Sequence, residues 1–157
     1  MSRRYATGHG DECTVLLSFL DQYRDTMVFK ISGLDEDQAR WAPTPQANSL
    51  LTLIVHLTGV ERSWSENVIL GNDVDRERDA EFNELVASTN VERAVTEYLK
   101  QCDRTNEILR SVELDQPCVG EAGYSVRWVA LHLLEETARH AGHADITREL
   151  IDGSVGD

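Results

Sequence analysis

The segment Glu136-Thr137-Ala138-Arg139-His140-Ala141-Gly142-His143 sets one carboxylate and two imidazoles at helical spacing. At about 100° per residue, with Glu136 as zero, His140 lies about 40° away and His143 about −20°, with Val129 at about 20° and Leu133 at about 60°. The three polar side chains therefore share a face with core-forming Val and Leu. A lone charged carboxylate on such a face is costly unless something compensates it, and a divalent cation would do so. Glu136 and His140 stand four residues apart, where side chains converge on one point. Zinc accepts imidazole and carboxylate together, as do nickel and iron, and bundle cores commonly hold such sites. The third ligand must come from another helix. His56 is the candidate, flanked by Val55 and Leu57 with Val60 one turn on. Three protein ligands leave open positions for water or substrate, which marks a catalytic rather than a structural site.

Each component has a plainer reading. A lone mid-helix His is more often a hydrogen-bonded core or rim residue, and an ExxxH pair arises readily on an exposed helix. It is the joint pattern of His56, Glu136 and His140 that points to a metal. His143 is a spare ligand, a donor to substrate or a surface residue. His132, two turns from His140, is expected to pack, and His9 falls in an expected disordered tail.

Four segments with apolar residues three and four apart must position these groups. The first runs from about Asp11 to Leu34, and Trp41-Ala42-Pro43-Thr44-Pro45 then forms an extended or turning connection. The second starts at Asn48 or Ser49, both good N-caps, carries Leu50 through Val68 and stops at Gly71-Asn72. The charged stretch from Asp73 to Glu81 reads as a solvated loop with a turn of helix. The third helix begins at Asn90 and its stripe ends at Val112. Pro117, Gly120 and Gly123 then exclude helix. The fourth runs from Ser125 to Ile151 and is ended by Gly153. The fold class is thus all-α: a four-helix bundle with long inter-helix connections, which permit crossovers rather than a simple up-down-up-down order.

The chain has 157 residues, 15 basic against 28 acidic, for a net charge of −13. This length suits a single domain, residues 1–157, with a full core. The acidic balance argues against nucleic-acid or anionic-membrane partners and favours a cation, or a ligand held through one. Cys13, Cys102 and Cys118 are widely spaced, with no CxxC, so neither a disulfide framework nor a thiolate zinc site is expected. There is no apolar signal segment and no membrane-spanning run, so a cytoplasmic setting with reduced thiols is expected. The apolar stripes are also compatible with pairing of two bundles in a homodimer.

The segment from Arg127 to Asp145, continued by Arg148 to Gly153, resembles the helix-four signature of the DinB/YfiT-like superfamily, and more narrowly its actinobacterial mini-circle protein subgroup. Ser49-Leu50-Leu51 leading to His56-Leu57-Thr58-Gly59-Val60-Glu61-Arg62-Ser63-Trp64 is similar to its helix-two signature. The resemblance implies a four-helix bundle of the DinB/YfiT-like type with a divalent metal on residues matching His56, Glu136 and His140. The His-Glu-His set is similar to that of mycothiol-dependent maleylpyruvate isomerase, and related members are thiol S-transferases. The implied cosubstrates are a low-molecular-weight thiol, mycothiol or similar, and a small electrophile. The implied chemistry is thiol attack at that electrophile. One departure is Ser65, where subgroup members carry an aromatic residue; it bears on the neighbouring pocket, not on the metal. Two other readings stay open: a metal-dependent hydrolase, with Glu61 or Glu135 as base, and a non-catalytic metal-binding stress-response protein. Arg139 and Arg148 read first as solvated surface charges.

Overall fold

A computed structural model describes residues 4–155. Four long helices carry the chain: α1 (Glu12–Ile31), α3 (Leu50–Arg62), α6 (Val91–Ser111) and α7 (Val126–Asp152). Short helices α2 (Glu36–Arg40), α4 (Arg78–Glu81) and α5 (Glu84–Ser88) lie in the connections, and there are no strands among the described residues. No helix among them is long and apolar enough to cross a membrane.

The helix starts follow from side-chain caps that satisfy first-turn amides. Asp11 accepts from the Thr14 amide, Ser49 from Thr52, Asn90 from Arg93 and Ser125 from Trp128. The first helix stops at Ile31, short of the expected Leu34, because Ser32 is extended and Gly33 adopts φ of +78°. Leu34 still packs against the core. At the far end, Gly153 closes α7 in the left-handed region.

The second helix differs from its expected regular course. After Arg62 it continues as a π-helix over Ser63–Ile69. Within it the buried Ser65 hydroxyl donates to the Glu61 carbonyl at 2.7 Å. The Thr105 hydroxyl in turn donates to Ser65 Oγ at 3.3 Å. Ser65 therefore belongs to the core and ties the second helix to α6 rather than lining a pocket.

Helix directions are fixed by contacts at both ends. Arg127 pairs with Glu12 near the start of α7 and α1, and Lys30 pairs with Asp145 at 2.8 Å toward their far ends, so these helices run parallel. Val55 and Ala94 line one cavity, while Ser65 meets Thr105 farther along, so α3 and α6 are also parallel. Glu136 and His140 face His56, whereas the earlier His132 faces the later Trp64, so α3 and α7 are antiparallel. The order is up-down-down-up. Residues 70–90 must therefore return the length of α3 before α6 can begin, and α4 and α5 pack on α3 as they do so.

The core has two apolar clusters. One centres on Met27, Leu50, Ile54 and Tyr98, the other on Leu20, Ile69, Val129 and Leu133. A polar layer lies between them: Arg24 donates to Glu61, Asn106 and Asp21. The N-terminal segment, expected as a disordered tail, is tied to α1 in its described residues. Arg4 pairs with Asp25 and Asp21, and the amides of Ala6 and Thr7 donate to Gln22 and Ser18. The expected tail residue His9 is exposed, with its amide bonded to Thr7 Oγ1 at 3.2 Å.

Candidate metal centre

His56 is carried by the most apolar stretch of α3, where Leu53, Leu57 and Val60 are all buried. Its ring is 4 % exposed and faces α7. Val129 and Leu133 bury the same face of α7 and bring Glu136 and His140 inward behind them. His56, Glu136 and His140 each offer one donor atom, and these atoms lie within 4.8 Å of one another. Glu136 Oε1 is 3.4 Å from His56 Nε2 and 3.3 Å from His140 Nε2. The two imidazoles stand edge to face, 5.2 Å between centroids.

This donor set fits a small divalent cation. Ligand atoms bonded at about 2.0–2.2 Å in tetrahedral directions stand roughly 3.3–3.6 Å from one another, the spacing of the two contacts above. The charge states fit as well. Burial pushes the His140 imidazole below its usual range, against the pull of Glu136, so it is neutral at neutral pH. Burial alone would raise the Glu136 carboxyl, but the neighbouring His140 and His56 hold it below the usual carboxylate range. One anion and a neutral imidazole are the protonation states that ligation requires.

His143 lies outside the cluster of three. It is exposed, and its Nδ1 is 3.4 Å from His140 Nδ1. His132 packs as expected, within an aromatic group: 4.5 Å from Trp64 and stacked on Trp128 at 5.1 Å, with Tyr124 beyond. Arg139 reaches Glu136 at 3.5 Å and also pairs with Glu135. Arg148 is not a free surface charge. Its Nη1 donates to the carbonyls of Lys30 and Ser32, capping the end of α1.

Neither proposed hydrolytic base stands at the centre. Glu61 is fully buried with both oxygens on Arg24, at 2.7 and 2.6 Å. Glu135 is exposed and held by Arg139. The three cysteines are free thiols, and burial pushes each above its usual range, Cys102 most of all.

One residue of the centre escaped the sequence reading. Glu81 was expected in a solvated loop, and a turn of helix does form there, but the side chain is buried, with Oε2 2.9 Å from His56 Nδ1. Arg76 donates to both of its oxygens, at 2.6 and 3.0 Å. Burial would raise the Glu81 carboxyl, but His56 and Arg76 hold it below the usual range. Phe82 lies against the His56 ring, 5.2 Å between centroids. A signal existed in Gly59, a helix-weakening residue in mid-helix, one turn from His56. A Cβ there would meet Glu81 Oε1 at 1.9 Å.

An all-helical bundle with a two-imidazole, one-carboxylate cluster between antiparallel helices defines a class of metal-competent bundles. Residues 15–153 match the family model described as MST, Mycothiol-S-transferase, and the chain belongs to that family. No curated protein matches the chain.

Proposed function

We propose that this protein is a divalent-metal-dependent thiol S-transferase in which His56, Glu136 and His140 hold the ion and mycothiol or a similar low-molecular-weight thiol is the cosubstrate. The observation that carries this reading is the convergence of those three donor atoms in a chain of the mycothiol S-transferase family. Bound there, zinc, nickel or iron supplies a positive centre that favours the ionised form of an incoming thiol. The chain's own groups account for the rest. Glu136 contributes one negative charge, which lowers the net positive charge felt by sulfur and preserves its nucleophilicity. Arg139 is exposed within 3.5 Å of Glu136, where it can meet an anionic substrate. In the overall reaction a sulfur–carbon bond forms at a small electrophile. The thiol proton passes to solvent, and either a halide leaves or an epoxide C–O bond breaks and its oxygen takes a proton from solvent. With every cysteine of the chain kept as a protonated thiol, the reacting sulfur comes from outside.

The test is metal content and turnover of the purified protein with mycothiol and a chlorinated aromatic or an epoxide. Stoichiometric metal and thiol-dependent conjugation, both lost in His140→Ala, are expected. Ester or amide cleavage without thiol would replace this reading with a hydrolase. Metal retention without any turnover would leave a binding protein.

A further inference from the structure

We propose that Glu81 is a positioning residue for His56, and that through it the crossover of residues 72–90 is coupled to ion binding at the centre. This inference rests on the reading of His56, Glu136 and His140 as ligands. Glu81 touches no donor atom of that cluster; it acts on the opposite nitrogen of the His56 ring. An acceptor carboxylate 2.9 Å from Nδ1 places the ring proton there and leaves the lone pair on Nε2, the nitrogen that faces Glu136 and His140. The same bond fixes the ring's rotation about its side chain.

The arrangement around Glu81 is built for this contact. Arg76 donates to both carboxylate oxygens, so the buried anion has a cationic partner besides the His56 ring. The absent side chain at Gly59 leaves the space that the carboxylate fills. Phe82, next in sequence, lies against the same imidazole. Two consecutive positions of the crossover, 81 and 82, thus meet one ring of α3, and Arg76 braces the first of them. The helix that carries Glu81 spans only Arg78–Glu81, too short to persist without tertiary contacts. Its order therefore depends on its contacts with neighbouring elements, the Glu81–His56 bond among them. By linkage, an ion that selects this tautomer also selects the ordered crossover, and the crossover favours the ion to the same degree.

The experiment measures zinc affinity by competition with a chromophoric chelator. Glu81→Ala is expected to weaken zinc binding by roughly 10–100-fold. Glu81→Gln, which keeps an acceptor oxygen, should recover part of the loss. Gly59→Ala removes no polar group and improves helix propensity, yet by displacing the carboxylate it should weaken zinc as Glu81→Ala does. Wild-type affinity in both alanine variants, with binding lost in His56→Ala, overturns the positioning role and leaves the metal centre intact. Wild-type affinity in His56→Ala overturns the centre itself. A further measurement needs no variant: zinc should slow amide hydrogen exchange over residues 78–88 of the wild-type protein more than over residues 15–25. Equal slowing, or none, overturns the coupling.

Discussion

Arg24 and Glu61 meet as a parallel pair of charge-assisted hydrogen bonds in the middle of the bundle, 2.7 and 2.6 Å long, with neither side chain more than 1 % exposed. Breaking such a pair leaves a buried charge without a partner, which typically costs about 3–5 kcal/mol. Glu61→Leu or Arg24→Met alone is therefore expected to lower the melting temperature by on the order of 10 °C. The double variant should recover part of the loss, because it leaves no buried charge, although Asn106 and Asp21 lose the bonds that Arg24 donates to them. Calorimetry of the three proteins checks this, and an equal loss in the double variant would show that the pair itself stabilises the bundle.

His143 and Glu81 each touch the ring of a candidate ligand, but from different environments. Glu81 is buried and braced, while His143 is exposed and makes one 3.4 Å contact to His140. Water can replace an exposed partner. His143→Ala should retain stoichiometric zinc and lose less affinity than Glu81→Ala, as measured by chelator competition. A larger loss would place His143 among the ligands.

The stability of the metal-free protein should fall in two stages on acidification. His140 is shifted downward in the folded state, so below the free imidazole value of about 6.5 the unfolded chain takes up a proton that the native one refuses. Stability is therefore lost as pH falls below that value and is unaffected above it. Glu81 and Glu136 are also shifted downward, so their contribution is complete above the free carboxyl value of about 4.3 and is lost below it. Urea titrations in chelator from pH 8 down to about 3 should show both stages, and His140→Ala should remove the first and weaken the second, because His140 helps to hold Glu136 down.

Two glycines should respond in opposite ways to alanine. A Cβ at Gly120 would lie 2.0 Å from the Asn67 carbonyl oxygen, where the amides of Val119 and Gly120 bond the end of the π-helix. Gly120→Ala must displace backbone there, so it should destabilise by about 1–3 kcal/mol and perturb the near-ultraviolet signal of Trp64, which shares the π-helix with Asn67. Gly142 is exposed within α7 with nothing within 4 Å of its added Cβ, so Gly142→Ala should stabilise by about 0.5–1 kcal/mol. Chemical denaturation of both variants decides each case.

The four long helices were legible because their apolar spacing and caps are local properties, and the inward turn of Glu136 and His140 follows from their phase against Val129 and Leu133. His56 was legible for the same reason. Glu81 was not, because its stretch reads Asp73 to Glu81 as a run of charges, and which one is buried depends on where a crossover lands. That landing is set by α3 and α6 running parallel, a relation between elements far apart in sequence. Arg24 was hidden in the same way: nothing near it in α1 announces that Glu61 and Asn106 will meet it. The π-helix over Ser63–Ile69 was not legible either, because apolar periodicity does not separate a local π turn from a regular α-helix.

Burial raises the thiols of Cys13, Cys102 and Cys118, which bears on how the chain would withstand the electrophile of the proposed reaction. Alkylating agents react with ionised sulfur, and the fold holds these three thiols further from ionisation than a free cysteine. Exposed to such a reagent, the native protein should therefore be alkylated at cysteine more slowly than the unfolded chain, as mass spectrometry would show.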